Sequence, residues 1–384
     1  MTQTKVEAPF VENNKPFRNF IINGDMEIWQ RAIAATTVSD GSYSACDRWH
    51  FPFYSTDGAM TTERETLSDA DQAATGMYYC NLLKCTTADT SVAAASIVQM
   101  RQTIEAQFCQ PFKYGTSAAK TLTLSFYAKA NASKTYGVNL WKRDSTSYYW
   151  FQDIAVTTSW QRFEIVISPT AGSTSLITGS GGDIANDNGE GIEVNFVLVS
   201  GSNYQATADT WTANQDFNTS NLDNFLSSTD NTFRVTGVQL EIGNQATDFE
   251  HVPHDVQMQR CQRYYESNYD YESGVYPAED QNYGGLAVTL QGHGYAADNM
   301  RHFVYFKVRK RGIPSITYYR VDGLADGSAA GRWDWYDGGW DQMSGATTVG
   351  EATETGLDVN MIDTDISATN SHLIGGGWEA DSEL

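Results

Sequence analysis

Short runs in which apolar and polar residues alternate recur along this chain, separated by Gly, Asn, Asp and Ser. Leu122, Leu124, Phe126 and Ala128 alternate with Thr123, Ser125, Tyr127 and Lys129. Phe163, Ile165 and Ile167 form a second run, and Val194, Phe196 and Leu198 a third, bounded by Gly191 and Gly201. A period of two turns one face to a core and the other to solvent, so each run predicts a strand. Between Phe233 and Ile242 the parity changes at Gly237: Phe233 and Val235 share one, Val238, Leu240 and Ile242 the other. An extra residue in a β-bulge there would restore a single buried face.

Near Pro253 the pattern changes. Asp255 is placed to cap a short helix running through Tyr265, with Val256, Cys261, Tyr264 and Tyr265 on its apolar side. Strands resume at Leu286, Val288 and Leu290, at Val304, Phe306 and Val308, and at Ile316 and Tyr318. The expectation is an all-β chain: an arm at 1–17 without periodicity, a β-sandwich over 18–252, a short linking helix, and a smaller β-sandwich over 253–384. No repeat of 20–50 residues is visible, which argues against a propeller or solenoid.

Charge narrows the partners. Acidic residues outnumber basic ones 47 to 25, a formal net charge of −22. Nucleic acid and anionic membrane surfaces would both repel such a chain, so neither is an expected partner. No apolar stretch approaches the roughly 20 residues that span a bilayer. The first 20 residues lack the apolar core of a signal peptide, and the expected site of synthesis is a cytoplasm. Five scattered cysteines (Cys46, Cys80, Cys85, Cys109, Cys261) are an odd number in a chain with ample core, and read as buried thiols.

Catalytic signatures are absent from the sequence. There is no His-Glu-x-x-His, no Gly-x-Ser-x-Gly and no phosphate-binding loop. Gly179-Ser180-Gly181-Gly182 is glycine-rich but opens no helix. The six histidines are dispersed, and His251 and His254 read as packing at a junction rather than as metal ligands. A glycosidase needs only two carboxylates placed by the fold, so a polysaccharide-degrading enzyme stays open as an alternative. The expectation is nonetheless a protein that is not an enzyme.

Several segments, in order, resemble those of bacteriophage tail-fibre-like and related virion appendage proteins. The opening stretch Arg18-Asn19-Phe20-Ile21-Ile22-Asn23-Gly24-Asp25-Met26-Glu27-Ile28-Trp29-Gln30-Arg31 is followed by Asp47-Arg48-Trp49, a strand from Ser125 to Lys129, and Ser159-Trp160-Gln161-Arg162. Thr236 to Gly243, Ala246 to Glu250 and Cys261-Gln262-Arg263-Tyr264-Tyr265 complete the set. The resemblance implies an opening strand at Arg18–Arg31 and a jelly-roll β-sandwich similar to carbohydrate-binding modules. It also implies a virion setting, a homotrimer, and attachment to other virion proteins through the N-terminal arm. A head-fibre or capsid-decoration protein is the alternative within that setting. Modules of this kind often hold a structural calcium between opening and closing strands, which here would draw on Glu27 and Glu241; no other cofactor is implied.

Aromatic residues make up 12% of the chain, and sugar rings stack on flat aromatic faces. Two clusters therefore stand as candidates for contact with host surface glycan. One is Tyr148, Tyr149 and Trp150. The other is Trp333, Trp335 and Trp340, in a segment whose Asp337-Gly338-Gly339 reads as the turn of a hairpin. Packing against a core or a neighbouring subunit is the alternative role of each.

Overall fold

The computed structural model describes residues 17–43, 45–268, 288–290, 299–319, 333–336, 340–342, 348–362, 372–375 and 377–384. The arm at 1–16, Leu286 and the turn at 337–339 lie outside the described residues. The chain divides into two units: one of residues 1–27, 34–253 and Leu384, the other of Ile28–Ile33 and His254–Glu383.

Among the described residues, eleven strands build the first unit: β1 (Thr36–Thr37), β2 (Phe53–Tyr54), β3 (Ala59–Thr66), β4 (Tyr79–Thr87), β5 (Ile97–Glu105), β6 (Leu122–Ala130), β7 (Lys134–Lys142), β8 (Tyr148–Val156), β9 (Gln161–Ile167), β10 (Glu190–Ser200) and β11 (Thr232–Ile242). They form a six-stranded sheet, β1-β3-β4-β11-β6-β9, and a five-stranded sheet, β2-β5-β10-β7-β8. All pairings are antiparallel and most join strands distant in sequence, the mark of a jelly roll rather than a meander. Phe126 meets Phe196 edge-on at 5.0 Å and Tyr136 meets Phe233 at 5.4 Å, so aromatics from both sheets fill the space between them. A short helix, α1 (Asp69–Thr75), is capped by the Ser68 side chain and closed by Gly76 in the left-handed conformation.

The predicted bulge is present. The β11–β6 register shifts between Thr236 and Gln239, and Gly237 takes a φ of +62°. Phe233 and Val235 lie opposite Ala130 and Ala128; past the bulge, Leu240 and Ile242 lie opposite Leu124 and Leu122. Both halves of the strand thus face one core. The bulge lifts Val238 off the ladder, and the opening segment takes up its peptide groups. Val238 N donates to the Gly24 carbonyl at 2.9 Å, and Asn19 Nδ2 donates to the Val238 carbonyl at 3.1 Å. The opening segment itself is a correction to the sequence reading. It is not a strand but a series of bends and turns, with Asn23 and Met26 at positive φ.

The second unit contains helix α2 (His254–Gln262) and strands β12 (Tyr265–Ser267), β13 (Val288–Leu290), β14 (Asn299–Tyr305), β15 (Ser315–Tyr319), β16 (Asp334–Tyr336), β17 (Trp340–Gln342), β18 (Thr348–Ala352), β19 (Gly356–Ile362), β20 (His372–Gly375) and β21 (Gly377–Asp381). They pair as β12-β21-β15, β13-β20-β16-β17 and β14-β19-β18. Val304, Leu357 and Val359 of the last sheet share a core with Tyr318, Trp378 and Ala380 of the first, a second β-sandwich. Helix α2 is shorter than expected. Asp255 sits in its first turn, and Tyr265 begins a strand paired to Asp381. Ile28–Ile33, which the pattern assigns to the first sandwich, packs with this unit: Gln30 Nε2 donates to the Tyr265 carbonyl at 3.0 Å, and the Arg31 guanidinium lies 3.7 Å over the Tyr265 ring. Inside, Lys310 Nζ meets Glu266 Oε2 at 2.5 Å, both side chains almost wholly buried.

Candidate functional site

The outer face of the five-stranded sheet departs from the usual division of polar and apolar residues. Residues directly opposite in antiparallel strands share a face, so the register assembles this one. His50, Arg101, Asn195, Asn139 and Phe151 form one row. Thr103, Glu193, Trp141 and Tyr149 form the next, and Gln99, Val197, Gly137 and Asp153 a third. Polar side chains on an outward face would ordinarily be wet. Here Gln99, Asn139, Glu193 and Asn195 are fully buried, and Arg101 is only 7% exposed.

Part of the cover is the loop following β10. Tyr149 and Thr212 exchange two backbone hydrogen bonds of 2.9 Å, which fold the loop back over β8. Phe217 then packs edge-on against Tyr149 at 5.7 Å, with Tyr204 against Phe217 at 5.2 Å. Gly137 lies beneath it: a Cβ there would crowd Val197 Cβ of the neighbouring strand at 3.1 Å and meet the Phe217 carbonyl at an ordinary 3.6 Å. Trp141 stacks on Tyr149 at 5.0 Å with 27° between the rings, and stays half-buried. Tyr54, at the β2 edge, is 36% exposed.

At the centre Glu193 accepts from Arg101 Nη1 at 2.9 Å, Arg143 Nη1 at 2.8 Å and Thr103 Oγ1 at 3.1 Å. Arg143 Nε also meets Glu190 at 2.5 Å. Both guanidiniums lie near the Trp141 ring, Arg143 at 4.5 Å and Arg101 at 5.6 Å. Arg101 Nη2 donates to Gln99 Oε1 at 2.9 Å, and Asn195 Nδ2 to Asn139 Oδ1 at 3.0 Å. These bonds fix the amide orientations and leave a residue of buried atoms. Among the described residues, nothing pairs with Arg101 Nε, Gln99 Nε2, Trp141 Nε1, His50 Nδ1 or Asn195 Oδ1. Leaving one buried polar group unpaired costs about 1–3 kcal/mol, and here Arg101 Nε and four such atoms near it stand together. His50 is held neutral: burial, then the Arg101, Arg48 and Arg143 guanidiniums, lower its pKa to about 2.

The sequence candidates fare unevenly. Tyr149 belongs to this face. Trp150 and Tyr148 point to the other side of the sheet, and Trp150 is buried at 1% exposure. Neither offers a ring to a sugar, because strand alternation turns them inward with Leu140 and Lys142, their opposite numbers on β7. Trp333 is a further correction. It is 1% exposed, donates from Nε1 to the Gly377 carbonyl at 3.1 Å and meets Tyr318 edge-on at 6.1 Å, so it fills the core of the second sandwich. Trp335 and Trp340 lie in the paired strands β16 and β17, opposite Asp341 and Tyr336.

Glu241 does not fit a calcium ligand. Glu241 accepts from the Thr247 amide at 2.8 Å, Thr247 Oγ1 at 2.8 Å and Gln239 Nε2 at 2.9 Å, and the Arg18 guanidinium stands 3.9 Å away. Its lone pairs and its charge are already answered. The Glu27 carbonyl accepts from Arg64 at 3.3 Å. Among the described residues no three His, Cys, Asp or Glu side chains converge as metal ligands. All five cysteines are buried thiols outside any disulfide, and burial raises the Cys46, Cys80 and Cys109 thiols well above their ordinary pKa.

A 410 Å³ cavity lies on the six-stranded sheet, lined by Glu65, Ser68, Asp71, Lys129, Asn131 and Arg234 among others. Its charges answer one another: Arg234 grips Glu65 at 2.5 and 3.0 Å, and Lys129 meets Asp71 at 3.5 Å. The outer face is the better candidate because its polar atoms are not so matched.

No protein-family model matches the chain, and no curated protein matches its sequence. Among solved structures, it is similar to the enzymatically active domain of tailspike protein 4 of bacteriophage CBA120, at 14% identity and a TM-score of 0.29, over 60% of this chain and 22% of that one. The chain thus spans about a fifth of the tailspike chain. It is also similar to the family 11 carbohydrate-binding module of cellulase Lic26A-Cel5E of Clostridium thermocellum, at 11% identity and a TM-score of 0.29, over 56% and 98% of the two chains. The N-terminal cellulose-binding domain of Cellulomonas fimi β-1,4-glucanase C matches at 13% identity and a TM-score of 0.25, over 56% and 98%.

Proposed function

We propose that this chain is a non-catalytic appendage subunit of a bacteriophage particle whose larger sandwich binds a host surface glycan on the outer face of its five-stranded sheet. The observation that carries the reading is the half-buried Trp141 ring on that face, stacked on Tyr149 and flanked by the partly exposed Arg143 guanidinium at 4.5 Å. A sugar residue has an apolar ring face and a girdle of hydrogen-bonding groups, and such a surface answers both. The virion setting rests on the ordered segments from Arg18 to Tyr265, and with it go a homotrimeric assembly and attachment through the N-terminal arm.

The test is binding of the full chain to a panel of bacterial surface polysaccharides, with reducing-sugar release followed in the same samples. Retention of at least one polysaccharide, lost in Trp141→Ala and without sugar release, is the expected result. Binding that survives Trp141→Ala removes the site. Sugar release would instead make the chain a polysaccharide-degrading spike.

A further inference from the structure

Among the described residues two lysines are buried, Lys142 and Lys310. Lys142 Nζ donates to the backbone carbonyls of Asp144, Thr146 and Gly181 and forms no ion pair among the described residues. Lys310 differs. Its Nζ stands 2.5 Å from Glu266 Oε2, with 0% of one side chain and 1% of the other exposed. It also donates to the Gln262 carbonyl, and the Phe306 ring lies 4.9 Å away. Glu266 in turn accepts from the Lys307 amide, at 3.0 Å on Oε1 and 3.2 Å on Oε2.

In water a lysine and a glutamate do not condense, because both ions are strongly hydrated. Burial removes that hydration, and only the attraction between the ions offsets the loss. A proton passed from Nζ to Glu266 leaves an uncharged amine beside an uncharged acid, the forms that burial favours. Burial lowers the Lys310 pKa against the opposing pull of Glu266, and the Lys307 charge adds to the lowering. The Arg101–Glu193 pair has no such course open to it, since a guanidinium keeps its protons.

We infer that Lys310 and Glu266 are joined by an amide bond that the folded second unit forms on its own. A turn of the flexible lysine stem brings Nζ onto Glu266 Cδ, and the nitrogen lone pair forms the C–N bond. The Cδ–OH bond breaks with its electrons on the leaving oxygen, which takes a proton from the nitrogen and departs as water. No oxidant, reductant or cofactor is consumed. Fixed proximity replaces a bimolecular encounter, and the Lys307 N–H is already aimed at the oxygens on which charge develops. The product keeps the hydrogen bonds in place: its carbonyl accepts from Lys307 N, and its one N–H donates to the Gln262 carbonyl. Two buried charges are removed. The link ties β12 to the chain beyond β14 and restricts the unfolded state as a disulfide does, without depending on a redox poise.

The experiment is intact-mass spectrometry of the full chain, purified and then denatured, with a peptide map of the same sample. The expected mass is one water, about 18 Da, below that of the sequence, with a pair of proteolytic peptides joined between Glu266 and Lys310. Lys310→Arg keeps a positive charge beside Glu266 that cannot be given up, so it should show the full sequence mass. A full sequence mass in the wild-type chain, unchanged after the folded protein is incubated at neutral pH, overturns the bond and leaves an ion pair. A loss of water that persists in Lys310→Arg, or that maps to other residues, overturns it equally. Should Lys310→Arg fail to fold, the presence or absence of the joined peptides in the wild-type chain decides alone.

Discussion

Arg101 and Glu193 meet at 2.9 Å beneath the outer face of the five-stranded sheet, the glutamate wholly out of water. A buried pair of this kind adds little net stability, but breaking it leaves an uncompensated charge. Arg101→Ala is expected to destabilise the first unit by about 3 kcal/mol, softened by the remaining contact with Arg143. Glu193→Gln, which keeps the shape, should cost less. Urea denaturation of the two variants checks the order, and equal midpoints to wild type would mean that the pair is wet.

His50 makes the stability of the same unit depend on pH. Its folded pKa is lowered from 6.5 to about 2, by burial first and then by Arg101, Arg48 and Arg143. The folded state therefore keeps the ring neutral where the unfolded chain binds a proton. This contribution is fully present above pH 6.5 and is lost as pH falls below it, by about 1.4 kcal/mol per pH unit. Between pH 6.5 and 5, ahead of most carboxylate titration, the unfolding free energy should fall accordingly. In His50→Gln the slope should flatten, and an unchanged slope would exclude His50 as its source.

Gly237 shows how far local pattern carries. The parity change between Val235 and Val238 required an extra residue, and the bulge sits where the pattern put it. The strand runs of β6, β9 and β10 were legible for the same reason, since their core-facing residues are apolar. The outer face was not. Gln99, Arg101, Thr103, Asn139, Glu193 and Asn195 repeat at period two, which reads as an ordinary solvent face. Only the register shows that they stand side by side, and only the loop from Tyr204 to Leu222 shows that many of them are covered. Trp333 misled in the opposite way: an aromatic cluster beside a turn looks exposed, whereas Trp333 closes a core. The opening segment misled because Asn23 and Met26 adopt positive φ, which side-chain alternation does not report.

The bulge yields its own prediction. At φ +62° a Cβ on residue 237 would stand 3.1 Å from Tyr127 Cδ2, and left-handed backbone costs a β-branched residue about 1–3 kcal/mol. Gly237→Val should lower stability by about that amount, and Gly237→Asn by less, since Asn tolerates this conformation. Thermal unfolding ranks them, and a Val variant as stable as wild type would mean that the bulge relocates at no cost.

Two tryptophans separate recognition from folding. Trp141 is half-buried, stacked on Tyr149 at 5.0 Å and 4.5 Å from the Arg143 guanidinium, with its Nε1 unpaired. Its neighbours also pack on one another: Phe217 and Tyr204 hold Tyr149 without it. Trp141→Ala should then reduce glycan affinity about tenfold or more, from lost stacking and one lost donor, with a fall in Tm of only a few degrees. Trp333 has the opposite profile. It fills the second sandwich among Tyr318, Val304, Leu357 and Trp378 and hydrogen-bonds Gly377. Trp333→Ala should destabilise that unit by about 3–5 kcal/mol through the cavity it leaves, while glycan affinity per folded molecule stays unchanged. Calorimetry and a binding titration on the same preparations read both quantities. If Trp333→Ala abolished binding with the second unit still folded, recognition would belong to the segment around β16 and β17, and the outer face would lose its assignment.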